Sequence, residues 1–152
     1  MNNRKLKFVA ATCLTTYLGA APAAHAEMNL PTLYMLHCSG CHGAAGHGVP
    51  AAGIPDLHDA GSYVVLPQGR AYLAQVPGIS QSRLDNETAA RMLNWALYRF
   101  SAASLPPAFV PYTAAEIGRL RTDKASDAET RRAAILAALR NQNRLPPTYA
   151  PR

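Results

Sequence analysis

Five residues, Cys38-Ser39-Gly40-Cys41-His42, constrain this chain more than any other stretch. The spacing is C-x-x-C-H, the pattern of covalent c-type haem attachment. Two thiols that add across the two vinyl groups of one haem must sit about one helical turn apart. The imidazole that follows is then placed to ligate the iron from the proximal side. Ser39 and Gly40 are small enough for a porphyrin to lie against the backbone. Two other readings use the same residues. One is a redox dithiol, which wants a βαβ setting that this sequence does not offer. The other is a zinc site made by Cys38, Cys41, His42 and His47.

Residues 1–26 have the three parts of a secretory signal peptide. Arg4, Lys5 and Lys7 form the positive start, residues 8–20 the apolar stretch, and Ala24-His25-Ala26 the cleavage site, with cleavage expected after Ala26. The apolar stretch is shorter than the ~20 residues that a spanning helix needs. Cys13 lies inside it and is expected to be discarded, which leaves two cysteines. A periplasmic destination suits haem attachment, which in bacteria takes place outside the cytoplasm. No later stretch is apolar enough to span a membrane.

Of 152 residues, 126 follow Ala26, enough for one small domain and an extension. A core that small gains from a covalently held apolar group. Residues 1–26 take three of the 15 basic residues and no acidic ones, leaving twelve basic against nine acidic, a net +3. Nucleic-acid binding is not implied. From Arg83 onward there are eleven basic and six acidic residues. Such a region is either a pair of solvated helices or a basic face for an acidic redox partner.

Along the chain, Leu30 to Cys41 reads as a helix with Pro31 in its first turn, ending at Gly43. Glycines and prolines make Gly43 to Asp59 a loop. A short helix is expected over Leu66 to Val76, ending at Pro77-Gly78. Asp85 caps a long helix to Phe100, whose stripe holds Met92 and Trp95. Leu105 to Pro111 is Pro-rich. Thr113-Ala-Ala-Glu116 and Ser126-Asp-Ala-Glu129 are capping boxes, opening helices to Leu120 and to about Arg140.

The CxxCH motif, the Gly-rich loop and the Pro55-Asp56-Leu57 segment together resemble the class I cytochrome c family, over about Leu30 to Phe100. The resemblance implies an all-α, cytochrome c-like helical core around one covalent haem c, with a C-terminal helical extension. The expected organisation is signal peptide 1–26, haem domain 27–104, and Pro-rich lead plus helical extension 105–152. By the resemblance, Cys38 and Cys41 anchor the haem, and His42 ligates iron. The Pro55 carbonyl holds the His42 ring, Leu57 packs on the haem, and Tyr72-Leu73 line its edge. Trp95 packs against Tyr34, and Arg70 is a candidate for a haem propionate.

The family's Met ligand normally lies before the last core helix. Val76 to Leu84 contains no Met, His or Lys. Met92 is the candidate sixth ligand, ahead of His58 and His47. The expected function is single-electron transfer in the periplasm between a dehydrogenase and a downstream carrier or oxidase, without enzymatic activity. One alternative is an open-site haem protein that binds a small ligand or peroxide, although Val76 to Leu84 holds no distal general base. The other is a haem subunit docked on a larger dehydrogenase through Phe109 and Tyr112.

Overall fold

A computed structural model of the chain describes residues 29–123, 127–146 and 149. The expected signal peptide lies outside these residues. The described residues are all-α, with no strand among them beyond a single bridge pairing Val49 with Ile54. No helix among them is long and apolar enough to cross a membrane.

Asn29 starts α1 (Leu30–His37) by accepting the Thr32 N–H at 2.9 Å, and Pro31 occupies a first-turn position where no N–H is needed. The expected single helix to Cys41 is in fact two pieces. Cys38, at φ −127°, breaks it, and α2 (Ser39–His42) resumes at once. Gly43, at φ 70°, ends α2.

The Gly-rich loop is shorter than its composition suggested. It contains a 3-10 turn over Pro50–Ala52, and a longer 3-10 stretch already begins at Leu57 and runs to Val65. Asp56 initiates that stretch by accepting the His58 N–H at 2.9 Å. Next comes α3 (Pro67–Gln75). Pro77 does not open a plain loop: it sits in the first turn of the short α4 (Pro77–Ser80). Asp85 caps α5 (Asn86–Phe100) through the Thr88 N–H at 2.7 Å.

Thr113 caps α6 (Ala114–Leu120), but only half of the expected capping box forms. Thr113 Oγ1 accepts the Glu116 N–H at 3.2 Å, whereas the Glu116 carboxylate pairs with Arg70, at 2.5 and 2.7 Å. The cap of α7 (Ala128–Asn141) is Asp127, which accepts the Thr130 N–H at 3.1 Å; Ser126 lies outside the described residues.

Tyr34 on α1 meets the α5 rings of Trp95 and Phe100 at centroid distances of 5.7 and 4.9 Å, the pairing expected for Trp95. Contacts of this kind add about 0.5–1.5 kcal/mol beyond burial. The segment from residue 105 onward shares this core. Tyr112, Ile117, Ile135 and Leu139 are buried in the same apolar cluster as Leu33, Leu73, Ala89 and Leu93. α6 packs on α5 and α3, and α7 packs on α3 and the 57–65 stretch. Polar contacts reinforce the joint: Asn94 both donates to the Tyr112 carbonyl and accepts its N–H, at 2.9 and 2.8 Å.

A candidate cofactor cavity behind the CxxCH turn

The helix break at Cys38 sets the direction of the whole motif. The Cys38 N–H still donates to the Tyr34 carbonyl at 2.9 Å, so α2 stays anchored to α1. Within α2, the His42 N–H donates to the Cys38 carbonyl at 3.0 Å. The Tyr34 hydroxyl donates to the Gly43 carbonyl at 2.5 Å and fixes the far end. Cys38, Cys41 and His42 all border one cavity of about 430 Å³. That lies within the roughly 300–1,000 Å³ typical of cofactor clefts.

Opposite the motif, Leu57, Tyr72, Leu73, Ile79, Met92 and Leu97 make most of the lining apolar. Cys38, Cys41, His42, Pro55, Leu57, Tyr72 and Met92, all expected at the site, therefore line one cavity. They come from α1–α2, the loop, α3 and α5, so the cavity is a product of the tertiary fold.

The His42 ring has a defined tautomer. Its Nδ1 lies 3.1 Å from the Pro55 carbonyl oxygen, which can only accept. Nδ1 therefore carries the proton, and Nε2 keeps its lone pair free to bind a metal. Burial lowers the pKa of this imidazole; the Pro55 bond and the Asp56 charge oppose that shift. A neutral ring is the form an iron ligand requires.

The two thiols are not joined by a disulfide. Burial, and next the neighbouring Cys41, push Cys38 up to about 11. Reactive dithiols show the opposite shift, toward the thiolate. The four-ligand zinc set of Cys38, Cys41, His42 and His47 is not assembled. His47 instead meets Asp56 and His58, which together form the one cluster of three or more His, Cys, Asp or Glu groups close enough to share an ion among the described residues.

Arg70 is not at the cavity. Its guanidinium grips Glu116, donates to the Val110 carbonyl at 2.8 Å and lies 4.0 Å from the Tyr112 ring centre. The candidate role toward a propionate therefore fails, because Arg70 is occupied in tying α3 to α6. The cavity is instead bordered by Arg132 of α7, which donates to the Gly53 carbonyl at 2.8 Å, and by Tyr63. Nothing in the local sequence pattern marks either residue. Arg132 reaches the loop only because α7 folds back over α3, across 79 residues of chain.

Of the two expected docking residues, Tyr112 is not free to meet a partner, whereas Phe109 is half-buried. Tyr112 is buried, its hydroxyl donating to the Arg70 carbonyl at 2.8 Å. Phe109 packs edge-on against Tyr98 at 5.7 Å and contributes to the core.

The donor set fits a covalently held haem. Two thiols and one neutral imidazole stand on a single turn at the edge of an apolar cavity. Gly78 faces the same turn: a Cβ there would lie 3.5 Å from the His37 carbonyl and 3.9 Å from Cys38 Sγ. The described residues thus define an all-α fold with an apolar cofactor-sized cavity bordered by a Cys-x-x-Cys-His turn. Comparison with family models, curated proteins and solved structures finds no match for the chain.

Proposed function

We propose that this chain is an exported mono-haem c-type protein that carries single electrons between a periplasmic dehydrogenase and a downstream carrier or oxidase. The observation that carries the reading is the His42 ring, held by the Pro55 carbonyl so that Nε2 is unprotonated, on the same cavity lining as two thiols. A haem held there supplies a one-electron iron couple.

The chain's own residues have separate tasks. Cys38 and Cys41 anchor the group covalently, so it stays bound through repeated turnover. Pro55 fixes the His42 ring and raises its basicity as a ligand. Leu57, Leu73, Ile79 and Leu97 exclude water and lower the local dielectric, which favours the less charged iron state. Met92 is fully buried on the cavity wall and is the candidate sixth ligand.

A second reading has its own support. Val76, Pro77, Gly78 and Ile79 form part of the wall, and none offers an atom that binds iron well. If Met92 serves only as packing, this chain would supply no sixth ligand and the cavity would leave room for a small one.

The test is expression with haem-maturation machinery, followed by denaturing electrophoresis and a haem stain. The wild-type band should stain, and replacing Cys38 and Cys41 with Ala should abolish the stain. A colourless wild-type protein would overturn the proposal. Rapid carbon monoxide binding by the reduced protein would select the open-site reading.

A further inference from the structure

His47 and His58 lie outside the cavity lining and meet there with Asp56, which borders the cavity. His47 Nδ1 lies 3.2 Å from Asp56 Oδ2, and His58 Nδ1 lies 2.5 Å from Asp56 Oδ1. The His47 and His58 rings stack with centroids 4.7 Å apart. One ligand atom from each residue falls within 4.8 Å of the others.

The loop is built to hold this arrangement. The Leu57 N–H donates to the Gly46 carbonyl at 2.8 Å, and the Gly48 N–H donates to the His42 carbonyl at 2.9 Å. His47, between these two glycines, is thereby held opposite Asp56. Gly46 and Gly48 have φ of 81° and 63°, and a Cβ on Gly48 would strike the Pro55 and Ile54 carbonyls. On the other side, the His58 carbonyl accepts from Ser104 Oγ at 2.7 Å, and its ring rests edge-on against Phe100.

We propose that His47, Asp56 and His58 form a surface site for a divalent first-row transition ion of the zinc, copper or nickel class. Two imidazoles and one carboxylate are the donors such ions prefer, whereas magnesium and calcium prefer all-oxygen sets. Donor atoms about 2.0–2.2 Å from one tetrahedral ion lie about 3.3–3.6 Å apart. The ligand atoms, within 4.8 Å of one another, must draw together by about an ångström, and the stacked rings must turn to aim at one point. The His47 side chain is 70% exposed and free to make that turn. Three protein ligands leave at least one position for water. The site does not depend on the haem reading.

The probe is Zn²⁺ alone, titrated calorimetrically into the mature chain, with Mg²⁺ as the control ion. One zinc per chain should bind to a site that ignores magnesium. His47→Gln should weaken it by more than about tenfold, since even an outer-sphere partner's loss costs roughly 10–100-fold. His58→Gln should do the same. Replacing Cys38 and Cys41 with Ser should leave this site intact. Unchanged zinc affinity in His47→Gln would overturn the proposal, as would a site lost with the two cysteines, because the thiols would then hold the ion. His47→Gln decides the matter even if another variant folds poorly, since its exposed ring bears little of the core. Haem staining of the same wild-type sample reports separately on the cavity reading.

Discussion

A chain ending at Ser104 should fail to hold a stable fold, although the family resemblance ends at about Phe100. Ile117, Ile135 and Leu139 are 0%, 2% and 0% exposed, in one cluster with the α1, α3 and α5 side chains. Burying one aliphatic side chain contributes about 1.5–3 kcal/mol, so these three contribute about 4.5–9 kcal/mol. Domains of this size have a net stability of only about 5–15 kcal/mol. Ordering the extension costs backbone entropy, which offsets part of that gain in the intact protein. Point substitutions avoid that term. Leu139→Ala and Ile117→Ala should each cost about 2–5 kcal/mol through lost transfer energy and a cavity. In a domain this small, that lowers the melting temperature by roughly 10 °C or more. Circular dichroism melts of the full chain, both Ala variants and the truncated chain make the comparison. A truncated chain that melts cooperatively within a few degrees of the full one would refute the shared-core argument.

Met92→Leu conserves volume and should cost less than about 1.5 kcal/mol, so the variant stays folded. Loss of a sulfur-to-iron charge-transfer band with a fall in potential would assign Met92 as the ligand, while an unchanged spectrum would make it a core residue. Gly48→Ala places a non-glycine residue at φ 63° against the Pro55 carbonyl. It should destabilise by more than about 1 kcal/mol and disturb the His42 ring, visible in its ring-nitrogen NMR signals; a variant that melts like the wild type would remove the clamp argument. The hydrogen bond from Arg70 holds the Glu116 carboxyl below its usual pKa, against an opposing effect of burial. A carboxyl lowered by folding adds stability above its unfolded value of about 4.3 and loses it as pH falls through the lower folded value. Acid melts of Glu116→Gln should therefore lack the part of the acid sensitivity seen in the wild type below about pH 4. Identical acid profiles would show that the pair contributes nothing.

What could be read from the sequence was local. Asp85 and Thr113 act as helix caps because a short polar side chain reaches an N–H three residues on, whatever the rest of the fold does. Cys41 and His42 share one helical turn, as their spacing implies, while the Tyr34–Trp95 contact was implied only by the family resemblance. The sequence also held the glycines whose positive φ closes the loop. Tertiary structure decided everything that joins distant segments. A charged side chain's partner is set by what folding brings within a few ångströms, and sequence spacing does not encode it. Arg70 thus met Glu116, 46 residues away, and left the cavity edge to Arg132. Glu116 gave up its half of the capping box because the guanidinium offers two charge-assisted bonds, stronger than one neutral N–H. Tyr112 looked like a docking residue in a Pro-rich stretch, yet it is buried, because α6 and α7 need an apolar face to pack on and α3 and α5 supply it.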